Sequence, residues 1–281
     1  AGFIERQLQE LGIETHSAIG QVGLVGVLRK GSSDKAIGLR ADMDALKIQE
    51  RNTFDHRSKT DGHMHACGHD GHSTMLLGAA EALRSADFDG TVYFIFQPNE
   101  EHGLGAQAMI DDGLFDRFPM DAIYGMHNMP GRPAGQLAMK SGPIMAGEDN
   151  FSLTIVGRGG HASQPHQHID PLVISAEIIL AMQSIVARSI DPAEQAVVSV
   201  TEIEADGTVN VVPSTVTIKG DCRSFKRSVS ETIERRMSEL AEGICHAHGA
   251  ELRFSYQRVF AATTNHSSKT EHTLAAAQAT N

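Results

Sequence analysis

The sequence predicts an α/β protein in two parts. Two changes in the order of its elements point that way, as does a length of 281 residues, which suits about two domains of ordinary size. Up to about residue 148, short apolar runs rich in β-branched and aromatic residues alternate with helical patterns: AIGLRA (36–41), a helix from about Ser73 to Arg84, TVYFIFQ (91–97) and DAIYGM (121–126). Strand, helix, strand is the order of largely parallel pairing. Beyond it come FSLTIVG, a helix from Pro171 to about Arg188, AVVSVTEIEA, STVTIKGDC, a helix from about Val229 to His248, and ELRFSYQRVF. That β-α-β-β-α-β order is the split βαβ, or ferredoxin-like, unit, four antiparallel strands covered on one face by two helices. From about Phe260 the chain returns to a loop and the start of a helix. The expected organisation is therefore a first domain over 1–147, an inserted domain over 148–258, and a return to the first domain over 259–281 whose later strands are not reached.

Composition narrows the function classes. With 41% hydrophobic and 21% charged residues the chain is globular rather than disordered or fibrous. A formal charge of −11 argues against a nucleic-acid backbone or an anionic membrane as partner. The longest apolar stretch, Pro171 to Ala187, carries Glu177 and Gln183 and reads as too short and too polar for a membrane span. The opening residues lack a signal peptide's charge-then-apolar order. Three widely spaced cysteines, Cys67, Cys222 and Cys245, argue for a reducing, cytoplasmic compartment over a disulfide framework. Histidine stands out: there are 15, and they cluster.

In open α/β sheets ligands sit beyond the carboxyl ends of the strands. Strand 36–41 runs into Asp42-Met43-Asp44, strand 91–97 into Glu100-Glu101, and strand 121–126 into His127, while Cys67-Gly68-His69-Asp70 precedes the first long helix. Thiolate, imidazole and carboxylate converging on one edge are the donors of a zinc-like or other first-row metal site. Each residue has a plainer reading. Cys67 suits a small buried position, Glu100-Glu101 a solvated loop, and His127 a hydrogen-bonded core histidine. Adjacent carboxylates are also what a metallohydrolase uses, one binding metal while its neighbour handles the proton of water. Of the other histidines, His56 and His63 read as surface loop, and His65 and His72 as supports of the site or structural. In the insertion, GRGGHAS (157–163) sets His161 in a glycine-rich turn, and Asn210 and Arg223 flank the next strand, where an arginine can grip a carboxylate bidentately.

Taken in order, LRADMDAL, MHACGHDGH, FIFQPNEE, GMHN, GRGGHAS and NVVP resemble the binuclear metal-dependent amidohydrolase and peptidase family that includes hippurate hydrolases, plant indoleacetyl-amino-acid hydrolases, aminoacylase and carboxypeptidase G. The resemblance runs from about Ala36 to Phe260, and MHACGHDGH points to the branch acting on N-acyl amino acids. It implies a metallopeptidase-like α/β catalytic domain with an inserted lid that also makes a homodimer. It implies two divalent ions (zinc, manganese, cobalt or nickel) held by Cys67, His69, Glu101 and His127. Glu100 is then the general base, and Asp42 and Asp44 orient the site, Asp42 standing where relatives have a ligating histidine. His161 is implied to polarise the scissile carbonyl in the partner subunit's site, with Asn210 and Arg223 on the substrate. The expected activity is hydrolysis of N-acyl amino acids. Deacetylation of N-acetyl-diaminopimelate, dipeptide hydrolysis, and a metal-binding homologue without activity are the alternatives. The family's last histidine ligand lies beyond the lid, past Asn281, and His266 and His272 are poor substitutes. The usual N-terminal helix and its His-Pro-Glu run are also missing, so the chain reads as part of a longer protein. Lys47 and Asn99 replace a common proline and alanine beside the site.

Overall fold

In the computed structural model, which describes residues 1–280, chain contacts divide the protein into two units, Ala1–Gln136 and the residues from Leu137 onward. The first unit opens with a helix, α1 (Gly2–Glu10), and a β-hairpin, β1 (Glu14–Ile19) and β2 (Gly23–Lys30). The sequence reading expected neither. Their signals are short: α1 buries only Ile4 and Leu8. Then follow β3 (Ala36–Asp42), α2 (His69–Ser85), β4 (Gly90–Gln97), the short helices α3 (Gly105–Asp111) and α4 (Leu114–Arg117), and β5 (Ala122–Gly125).

The five strands order as β1-β2-β4-β3-β5, with β3, β4 and β5 mutually parallel and β1 and β2 antiparallel. β4 is buried along nearly its whole length because both sheet faces are covered. Its alternation sends Phe94 and Phe96 to the side of α1 and α2, and Ile95 to Met109, Leu114 and Phe118 on the other side. Parallel pairing aligns Asp42 with Gln97 and Arg40 with Gly125. Three strands therefore end at one edge.

The second unit contains β6 (Gly142–Met145), β7 (Gly147–Val156), β8 (Gly160–His161), α5 (Pro171–Ser189), β9 (Ala196–Ala205), β10 (Val211–Val212), β11 (Thr215–Ser224), α6 (Arg227–His248), β12 (Glu251–Phe260), β13 (Thr263–Asn265) and α7 (Ser267–Ala279). Its main sheet is antiparallel in the order β12-β7-β11-β9. Phe151, Leu153 and Ile155 of β7 pack with Ile174, Ile178, Met182 and Ile185 of α5 and with Val229, Ile233, Met237 and Ala241 of α6. That is the split βαβ arrangement the element order predicts. α5 starts sharply because Asp170 accepts the Leu172 N–H at 2.9 Å and Pro171 presets the first turn. α6 stops at Gly249, whose φ of +70° a side chain would resist. β13 returns to pair with β6, the strand that leads into this sheet.

One sequence expectation needs correction. α5 has 19 residues and a mean hydropathy of 1.5, so by length and composition it does qualify as a membrane span. Packing decides the matter, since one stripe of α5 forms the core beneath the sheet and makes it a core helix.

Candidate metal centre

The edge where β3, β4 and β5 end gathers Asp42, Asp44, Glu100, Glu101 and His127, and α2 supplies the rest. The helix begins at His69, a turn earlier than the sequence reading placed it, so His69, His72, Ser73, Leu76 and Ala80 form one buried stripe. Apolar members of that stripe pack on the sheet, and the histidines at its front are carried into the site.

His69 is fully buried and sits at the centre. Its Nδ1–H donates to the backbone carbonyl of Asp44 at 3.0 Å, with Asp44 Oδ1 at 3.3 Å. The lone pair is thereby placed on Nε2, which faces Glu101 Oε1 at 3.7 Å, Glu100 Oε2 at 3.8 Å and Asp42 Oδ2 at 3.7 Å. Among the described residues, His69 Nε2 and Glu101 Oε1 are buried polar atoms with no hydrogen-bond partner. Polar atoms are left this way in a folded core at a cost, unless an additional group satisfies them. Cys67 Sγ lies 3.4 Å from His127 Nε2. Cys67, His69 and His127 converge as one set of donors, and His69, Glu100 and Glu101 as a second.

The electrostatics agree with a cation there. Burial, then the charges of Glu101, Glu100 and Asp42, pushes the Cys67 thiol up to about 11, and a bound metal inverts that preference. Burial also raises the Glu100 carboxyl, against the pull of Arg40. Burial works to raise Asp42 as well, but the His72 hydrogen bond and the charges of Arg40, His69 and His72 outweigh it and its carboxyl is lowered. The donor set of sulfur, imidazole and carboxylate with orphaned buried acceptors therefore fits divalent metal, which Cys67, His69, Glu101 and His127 could hold.

Asp42 is tied down on all sides. Arg40 Nη1 donates to Oδ2 at 2.8 Å, His72 Nδ1–H donates to Oδ1 at 2.6 Å, and Ser73 donates to its carbonyl. Asp44 Oδ2 accepts the Glu101 N–H at 3.2 Å, so it orients His69 and the glutamate loop together. Arg40 and Asn128 are the participants sequence reading missed. Arg40 lies inside a strand, and its position two residues before Asp42 on the same sheet face was the available signal. His65, grouped with His72 as a support, is exposed instead: the chain from Gly62 to Cys67 runs over the surface before turning in at Gly68. His56 stacks on Phe54, and both His56 and His63 are exposed.

In the second unit His161 and Asn210 come together. β8 pairs with β10, and the Ala162 N–H donates to the Asn210 carbonyl at 3.0 Å. His161 Nδ1 accepts from the Ser163 N–H at 3.3 Å and lies 2.9 Å from its hydroxyl. That leaves Nε2–H of this exposed ring as an outward donor. Arg223 is apart from them, eight residues along β11 from Thr215, or roughly 26 Å at strand spacing. Its Nη2 pairs with Glu148 at 2.6 Å and its Nε with Asp221 at 2.9 Å.

Residues 38–280 match the model of peptidase family M20/M25/M40. The chain belongs to this family. Among its M20 relatives, hippurate hydrolase of Campylobacter jejuni is 43% identical over 265 residues, which are 94% of this chain and 69% of that protein. N-acetylcysteine deacetylase of Bacillus subtilis is 40% identical over 238 residues, 84% of this chain and 62% of that one. The chain thus spans between three fifths and seven tenths of these relatives' lengths. The crystal structure of a dinuclear metal-binding M20 peptidase from Bacillus subtilis superposes with a TM-score of 0.83 at 34% identity, covering 99% of this chain and 72% of that one. This M20 chain is a hydrolase of mixed α/β fold, and the Bacillus subtilis peptidase of the same family is a dinuclear metal-binding protein.

Proposed function

We propose that the protein hydrolyses the amide bond of N-acyl amino acids of the hippurate or N-acetyl type, releasing a carboxylic acid and a free amino acid. The observation that carries the mechanism is the pairing of two unsatisfied buried acceptors, His69 Nε2 and Glu101 Oε1, beside a second glutamate that remains accessible. Cys67, His69, Glu101 and His127 would hold two divalent ions, of zinc, manganese, cobalt or nickel, which would supply Lewis acidity toward water at neutral pH.

The chain's own residues divide the remaining work. The two glutamates are told apart by exposure: the Glu100 side chain is 39% exposed and that of Glu101 22%. Glu101, with an orphaned oxygen, suits a ligand. Glu100, more open and with a raised carboxyl, suits a base that takes the proton of the attacking water and returns it to the leaving amine. Asp44 fixes the His69 tautomer, and Asp42 is saturated by Arg40 and His72, which suits a support better than a ligand. His161, with Nε2–H facing outward, is assigned to the oxyanion in the partner subunit's site. Asn210, beside His161, is assigned to the substrate's polar groups, whereas Arg223, held by Glu148 and Asp221 far along β11, is not brought to the same ligand. A homodimer through the second unit is supported by the edge strand β9, which exposes Val197 and Ile203, and by Leu172, Val173 and Leu180 on α5. Three unpaired thiols, two of them buried, suit the cytoplasm.

The test is amino-acid release from N-benzoyl- and N-acetyl-amino acids, with and without Mn²⁺ or Zn²⁺, beside Glu100→Gln. Metal-dependent release is expected, abolished in Glu100→Gln while its metal content stays that of the wild type. Normal turnover in the variant would overturn the role of Glu100. Metal binding without release from any substrate would favour the non-hydrolytic reading.

A further inference from the structure

We propose that Asn128 is the positioning residue that holds the two halves of the metal centre in register, an inference that rests on reading Cys67, His69, Glu101 and His127 as ligands. The halves come from separate elements. Cys67 and His69 bracket Gly68 at the front of α2, whereas His127 follows β5, 60 residues after Cys67. Local chain geometry does not set the distance between them. Asn128 touches both.

Its contacts are four. The Asn128 carbonyl accepts from His127 Nδ1–H at 2.7 Å, which turns His127 Nε2 toward Cys67 Sγ. The Asn128 N–H donates to His72 Nε2 at 2.9 Å. That nitrogen is an acceptor because His72 Nδ1–H donates to the buried Asp42, so the bond anchors Asn128 to the first turn of α2 and, through His72, to Asp42; the Asn128 side-chain amide lies against the same nitrogen, to which only its NH₂ end can donate. Lastly, the amide fills the space beside Gly68. A Cβ on Gly68 would stand 2.5 Å from Asn128 Oδ1 and 2.8 Å from both Cγ and Nδ2. Gly68 also has φ +95°, a conformation that side chains resist. The bare Cα between two ligands is therefore a seat for the Asn128 amide, and one residue joins the two sides, its side chain against Gly68 and its backbone on His127 and His72. Groups that orient metal ligands in this way typically govern affinity by 10–100-fold.

The experiment is a calorimetric titration of the protein with Zn²⁺ alone, for the wild type, Asn128→Ala, Gly68→Ala and the double variant. Asn128→Ala, which keeps the backbone contacts to His127 and His72 and removes only the amide, is expected to weaken Zn²⁺ binding about 10-fold, the lower end of that range. The penalty of Gly68→Ala should be smaller in the Asn128→Ala background, where the added methyl meets no amide and only the backbone strain remains. A general loss of stability would not produce that coupling. Wild-type affinity in Asn128→Ala, or additive penalties in the double variant, would overturn the inference. If Asn128→Ala does not fold, Asn128→Ser, which keeps a polar group but vacates the seat, should show the same weakening, and unchanged affinity there would overturn it equally. A wild type that takes up no Zn²⁺ would overturn the ligand assignment first, and this inference with it.

Discussion

At the scale of single residues, the centre is governed by what each buried charge faces. Asp42 illustrates it: fully buried, it survives ionised because Arg40 and His72 meet both carboxylate oxygens. Its folded carboxyl lies below the unfolded value of about 3.9, so its contribution to stability is present above that pH and is lost as pH falls through the lower folded value. Asp42→Asn is expected to cost about 3 kcal/mol at pH 7 by leaving Arg40 without its partner. In melts from pH 7 to pH 2 the gap to the wild type should narrow only below about pH 4; a constant gap would count against the ion pair. The cysteines give a second expectation. Cys67 is pushed up to about 11 and Cys222 to about 12, each first by burial, and Cys245 is also raised by burial. At pH 8 Cys67 in the metal-free protein is overwhelmingly thiol, so iodoacetamide should label it far more slowly than free cysteine. Mass spectrometry of a time course checks this, and labelling at the free-cysteine rate would refute it.

At the scale of elements, the loop between β4 and α3 shows how local geometry places chemistry. Asn99 has φ +49°, which asparagine tolerates better than most residues, and this gives a physical reason for asparagine at that position. The Gly105 N–H donates to the Asn99 carbonyl at 3.1 Å, and a Cβ on Gly105 would stand 1.6 Å from the Pro98 carbonyl oxygen. α3 thus begins pressed against the backbone that carries Glu100 and Glu101. Gly105→Ala should displace that loop and lower kcat about 100-fold, the scale of a displacement near 1 Å. Steady-state kinetics beside circular dichroism would check it, and unchanged kcat would show that the loop is not held by this contact. In the second unit, Leu153 is fully buried between α5, α6 and the sheet. Leu153→Ala should cost about 2–5 kcal/mol in denaturant melts.

At the scale of the whole molecule, the assignment of His161 to a partner subunit has its own test. Inactive His161→Ala and Glu100→Gln chains, mixed under conditions that exchange subunits, should recover part of the activity by forming one intact composite site. Absence of any recovery would return His161 to its own chain or remove its role. Much of this organisation was legible in the sequence. Parallel strands carry their functional residues at their carboxyl ends, so Asp42, Asp44, Glu100, Glu101 and His127 could be read as neighbours before any coordinates. The βαββαβ order was legible because helix and strand periods differ and each element is long. The opening helix and hairpin were not, because α1 shows only two buried residues. His65 and His72 were indistinguishable by type, and only the folded chain separates them, running His65 over the surface before Gly68 and burying His72 on α2. Arg40 and Asn128 carry no metal-ligand chemistry of their own, and their contacts reach residues up to 57 positions away for Arg40 and 60 for Asn128. The sequence by itself determined which donor types are present and which strand ends deliver them, since those follow from periodicity and residue chemistry. The tertiary structure alone decided which donors are left unsatisfied, which glutamate is open to solvent and what holds Cys67 to His127, because burial and long-range contact are properties of packing and not of sequence order.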